Sequence, residues 1–167
     1  MKRLYITLAA VIGMALLIPI APYLAVSADS SLYTHFTYQF AHANILHWIV
    51  NGWALLILHN LLRPLRLIIA YLLSVIITFI PATTPPEPSG GMLGSSVITC
   101  FFFGFIAPYF WRKGERLTAC MMLALIIIGF FIHGIAAWPH LLMFLSGIVW
   151  FFPERLYRSF TSFVNQK

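Results

Sequence analysis

Residues 91–116 read GMLGSSVITCFFFGFIAPYFWRKGER. Small residues and two adjacent hydroxyls, Ser95 and Ser96, open the stretch, an apolar and aromatic run follows, and Arg112, Lys113 and Arg116 close it. The apolar part, about 94–111, lies near the lower limit for a bilayer-crossing helix, which needs about 20 residues and at least about 17. Further apolar segments lie at about 4–26, 43–62, 65–81, 117–136 and 137–152. Composition agrees: 61% of the 167 residues are hydrophobic and 8% charged, with a mean hydropathy of +0.91, whereas soluble domains carry about a quarter charged residues. Segments that cross lipid must satisfy their own backbone, which makes helices the default. The sequence therefore predicts an all-α fold, a six-transmembrane-helix bundle forming one domain over residues 1–167.

The positions of the charges predict its orientation. All ten basic residues fall in four clusters: Lys2 and Arg3; Arg63 and Arg66; Arg112, Lys113 and Arg116; Arg155, Arg158 and Lys167. The intervening connections, about 27–42, 82–93 and 133–139, contain none. Six spans put every cluster on one side, as the positive-inside rule requires, with both termini cytoplasmic. The formal charge of +6 is then topology and affinity for anionic lipid heads, with no nucleic-acid partner. The first segment also fits a signal peptide, with Val26 and Ala28 at the −3 and −1 positions, but its length and its prolines Pro19 and Pro22 favour a retained helix. Cys100 and Cys120 both lie in apolar runs and read as small buried hydrophobes. No disulfide framework and no zinc spacing is present.

In that orientation the second, fourth and sixth segments run inward from the outer face. His42, His47, Asn51, Gly94, Ser95, Ser96 and His140 all fall in the outer half of the membrane. Each has a bland explanation. His47 and Asn51, spaced i,i+4, share a helix face and could simply bond between helices, and serines in membrane helices usually pack. Their convergence at one depth from three segments points to a site, because polar groups in hydrocarbon need partners.

The stretch TYQFAHANILHWIVNG, residues 37–52, resembles the second helix of the rhomboid intramembrane serine proteases: T-Y-x-F-x-H, a second His five residues on, and Asn four after that. WPHLLMFLSG, residues 138–147, resembles the family's catalytic histidine helix, with His140 followed seven residues later by the packing glycine Gly147. The usual G-x-S-G is absent. Aligning GSSV (94–97) makes Ser96 the nucleophile, with Val97 in place of the second glycine and Gly104 as the packing glycine eight residues on. Ser95 is the alternative nucleophile, and aligning GMLG (91–94) puts Leu93 there instead, which implies a dead protease. The family's first-loop Trp-Arg pair falls on Tyr33 and Thr34, its acidic end of helix two on Arg63, and a helix-contact glycine on Met143, which should widen the contact between the fourth and sixth helices.

The resemblance implies an intramembrane serine endopeptidase that cleaves transmembrane segments of other membrane proteins. It implies a Ser96–His140 dyad, His47 and Asn51 as oxyanion donors, and His42 and Gly94 in support. The four acids, Asp29, Glu87, Glu115 and Glu154, read as loop or helix-end residues, so no carboxylate completes a triad. Gly90, Gly91 and Gly94 let the chain approach its neighbours closely. The histidines offer no HExxH, and His59 and His133 stand at segment ends, so neither metal nor cofactor is expected. A compact six-helix form suits a bacterial inner membrane. Two other classes compete: a catalytically inactive rhomboid-like protein that binds transmembrane helices, and an unrelated membrane protein such as a transporter subunit, for which no internal repeat speaks.

Overall fold

The computed structural model describes residues 2–27, 29–80, 91–131 and 136–164. Among them are seven α-helices: α1 (Lys2–Ala15), α2 (Leu32–Thr37), α3 (Ile45–Ile57), α4 (Pro64–Ile77), α5 (Ser96–Arg112), α6 (Arg116–Ile128) and α7 (Ala137–Val164). Short 3-10 turns cover Ile18–Leu24, Tyr38–Phe40 and Gly129–Phe131. The fold is all-α, and the extended pairing among the described residues is a single antiparallel bridge, Val26 to Met92.

The helices depart from the six apolar segments in informative ways. The first segment breaks: α1 stops at Ala15, and the prolines at 19 and 22 carry the chain on as a tighter 3-10 turn bent by 79°. Proline lacks the N–H an α-helix interior needs. The 27–42 connection is built from α2 and the Tyr38–Phe40 turn, which meet α3 at 74°. By length and composition, no single helix among the described residues is enough to cross a membrane, although each of these two bent pairs passes together. The sixth segment runs on past 152, through Pro153, as part of α7. Glu154 therefore sits within a helix, where Arg66 Nε donates to its Oε2 at 2.8 Å and the Arg66 Nη2 group pairs with its Oε1. Residues 81–90, which hold most of the proline-rich lead-in and Glu87, lie outside the described residues, as do Ala28 and His133.

α5 is the central helix. It packs along α7, with α6, α4 and α3 around it. Glycines set how close α5 and α7 come: a Cβ on Gly104 would overlap the Phe144 carbonyl, and one on Gly147 would overlap the Phe101 carbonyl. The widening expected from Met143 is not found at this contact. Its side chain is fully buried in the core beside Phe101 and Phe102, where an unbranched thioether fits an irregular gap. α1 leans on α3: Trp48 Nε1 donates to the Val11 carbonyl at 2.7 Å, and a Cβ on Gly52 would come within 2.6 Å of Val11 Cγ1. Cys100 is buried as expected, but Cys120 is exposed, because α6 packs by one side only and turns Cys120 outward.

Polar side chains are buried among the apolar core, and large apolar side chains are exposed. Gln39, His42 and Ser74 are fully buried and Asn51, Ser95 and Thr99 nearly so. Ile49, Trp53 and Ile57 form an exposed apolar ridge on α3, and Leu65, Ile68, Leu72 and Ile76 form another on α4. A soluble monomer exposes apolar patches of only a few hundred Å² at most.

Candidate active site

The connection before α3 is fastened to α4 by side chains. Tyr38 Oη donates to the Ser74 carbonyl at 3.0 Å and Gln39 Nε2 to Ser74 Oγ at 2.7 Å. His35 Nδ1 lies 2.7 Å from Thr78 Oγ1, and Tyr71 Oη donates to the Phe36 carbonyl at 3.0 Å. Thr34 makes local bonds to Ser30 and Ser31, and Tyr33 Oη reaches the Tyr23 carbonyl. This braced segment in turn holds the approach to α5: Gly94 N–H donates to the Tyr38 carbonyl at 2.9 Å, and Met92 exchanges both backbone bonds with Val26. Buried backbone groups must find such partners.

Two glycines make that approach possible. Gly91 and Gly94 have φ of +73° and +100°, a region that strains any residue with a Cβ. At Gly94 there is also no room, since a Cβ would lie 2.8 Å from His47 Cε1 and Nε2 and 3.4 Å from His42 Cδ2. His47 and His42 thus pack directly on the backbone leading to Ser96, their rings edge to face at 5.2 Å.

Ser96 is the first residue of α5. His140 stands in the first turn of α7, and its Nε2 lies 2.8 Å from Ser96 Oγ. Its other nitrogen, Nδ1, is 2.7 Å from the Ala136 carbonyl. A carbonyl oxygen can only accept, so Nδ1 carries the proton; the neutral ring then leaves Nε2 as the acceptor for the serine hydroxyl. The backbone of Ala136 does for His140 what a carboxylate does in a Ser-His-Asp triad: it selects the tautomer and holds the ring.

Of the three registers open in the sequence, Ser96 is the one whose hydroxyl meets His140. Ser95 is buried, and its Oγ has no hydrogen-bond partner among the described residues, while its carbonyl accepts from Thr99 N–H and Oγ1. Leu93 precedes the helix and is half-buried. His47 stands on α3 against Gly94. Asn51 is buried on the same face of α3 but turns its Nδ2 onto the His47 carbonyl one turn back, at 3.0 Å. His59 is not part of this group; its Nδ1 bonds the Leu56 carbonyl.

Sequence reasoning had no access to the Ala136 carbonyl, because a backbone acceptor leaves no signature in residue type. It also took Arg66 for a topological charge. Tyr38 was visible in the T-Y-x-F-x-H pattern, although its part in holding Gly94 was not. The chain matches no protein-family model, no curated protein and no solved structure.

Proposed function

We propose that this chain is a rhomboid-like serine endopeptidase of the membrane, built on six spans with both termini cytoplasmic, that cuts transmembrane segments of other membrane proteins. The observation that carries the reading is the 2.8 Å contact between Ser96 Oγ and a His140 Nε2 left unprotonated by its bond to Ala136. A serine hydroxyl is a weak nucleophile until a base stands beside it. Outward apolar ridges on α3 and α4, buried polar side chains, and basic residues clustered in alternate stretches of the sequence support the membrane placement.

In this mechanism Ser96 Oγ attacks the scissile carbonyl as its proton passes to His140 Nε2. The imidazolium returns that proton to the leaving amine, which departs and leaves an acyl ester on Ser96. Water, deprotonated by the same Nε2, hydrolyses the ester and regenerates the hydroxyl. The oxyanion needs donors already aimed at it. The Ser96 N–H, in a first helical turn and outside the intrahelical ladder, is one, and the His47 ring is a second. Asn51 contributes only the amide hydrogen that is not used on the His47 carbonyl. The substrate enters from the lipid near its outer end and unwinds locally.

Labelling of the purified chain with a fluorophosphonate tests this. Wild type and Ser95→Ala should label, whereas Ser96→Ala and His140→Ala should not. Well-folded wild type that does not label would sink the protease reading in favour of a helix-binding protein.

A further inference from the structure

At the end of α5 remote from Ser96, a cavity of about 790 Å³ opens where the ends of α3 and α5, the start of α4 and the middle of α7 converge. Its size falls within the range of small-molecule sites. Among the described residues, five cations line it with one carboxylate, Glu154, which pairs with Arg66. Arg66 also lies 4.3 Å above the Phe105 ring, so this pair and the ring form a fixed floor. Lys113 Nζ is 5.7 Å from the centroid of Tyr109, and Arg112 Cζ is 5.6 Å from that of Phe151. Both cations are thereby steered to the cavity's edge by aromatic faces.

Beside the cations the rim is apolar and open, with Ile57 64% and Tyr109 50% exposed. A free anion would use only the charged part. An amphiphile with an anionic head and a hydrocarbon tail uses both.

We infer that this cavity is a binding site for the phosphate headgroup of an anionic phospholipid, held by Arg63, Arg112, Lys113 and Arg155, with the first part of an acyl chain along Ile57 and Tyr109. The inference rests on the membrane placement proposed above and is independent of the protease chemistry. Basic pockets between membrane helices on the cytoplasmic side suit such headgroups, each cation near the surface contributing about 1 kcal/mol.

The test uses the full chain in neutral detergent, titrated with phosphatidylglycerol, phosphatidylcholine or inorganic phosphate. Retained lipid is read by native mass spectrometry and the unfolding midpoint by circular dichroism. Phosphatidylglycerol should be retained and should raise the midpoint, while phosphatidylcholine and phosphate at equal concentration do neither. R112Q/K113Q and R63Q/R155Q should each weaken retention about 30-fold, the fold-change for two cations at about 1 kcal/mol each. Should one fail to keep its helical signal, the other, on different elements, decides. R116Q removes a cation that does not line the cavity and should change retention less than twofold.

A loss in R116Q equal per charge removed would overturn the site in favour of diffuse attraction. An equal response to phosphate would overturn the lipid in favour of a soluble anion. Unchanged retention in folded variants would overturn it outright. Flotation separates the underlying assumption: wild type that incorporates into phosphatidylcholine vesicles but shows no preference for phosphatidylglycerol refutes only the site. Wild type that incorporates into neither refutes the membrane placement.

Discussion

α5 and α7 hold together differently at their two ends. At the Ser96 end the contact is one neutral hydrogen bond between a hydroxyl and an imidazole, backed by a carbonyl and by glycines that keep bulk away. At the Arg112 end the contact is ionic and aromatic: the Arg66–Glu154 pair lies over Phe105, and Phe105 meets Phe151 edge to face at 5.8 Å. Between them Gly104 and Gly147 bring the backbones together. One end is poised for a proton to move, and the other is locked. A reactive serine needs a partner that can change protonation state, whereas an anchor needs charges that stay as they are.

Substitutions along this axis should separate the two ends. His140→Ala removes the base and should lower the rate of Ser96 labelling by at least about 10³-fold, with the unfolding midpoint little changed; an equal fall in the midpoint would mean that His140 is structural. Gly104→Val drives a branched side chain into the Phe144 carbonyl and should cost about 3 kcal/mol or more in unfolding free energy, losing labelling by separating the helices. Arg66→Met takes two charge-assisted bonds from the partly buried Glu154 and should cost about 2 kcal/mol. R66M/E154Q should recover most of that loss, and labelling should survive in both. Should R66M abolish labelling in folded protein, the two ends are coupled and the contrast fails. Gly94→Ala meets both a positive φ and the His47 ring, and should cost about 1–2 kcal/mol while slowing labelling by displacing His47. Ser95→Ala deletes a buried hydroxyl that has no hydrogen-bond partner among the described residues and should raise stability by about 1 kcal/mol, with labelling retained.

Much of this contrast is legible in the residues. Gly104 and Gly147 mark a close helix contact through the resemblance, and His47 and Asn51 share a face through their spacing. Met143 and Cys120 show where reading by residue type stops. The first fits a contact that a glycine was expected to occupy; the second lies in an apolar run yet faces outward. Both outcomes depend on how neighbouring helices rotate, which local pattern does not encode. Arg66 reads as one more member of a basic cluster because its partner, Glu154, is far along the chain and meets it only in the fold.

Sequence alone determined that the chain is helical and apolar, with its cations in four clusters, since hydropathy and backbone satisfaction act locally along the chain. It also offered three registers, Ser96, Ser95 and Leu93, opposite one histidine. Tertiary structure brought the Ser96 hydroxyl to that histidine. At the start of α5 a shift of one residue rotates a side chain by about 100°, which puts Ser96 on His140 and turns Ser95 into the core. It alone supplied the Ala136 carbonyl that sets the imidazole tautomer. Which face of one helix end meets another is a property of packing, and packing is shared by all the helices at once.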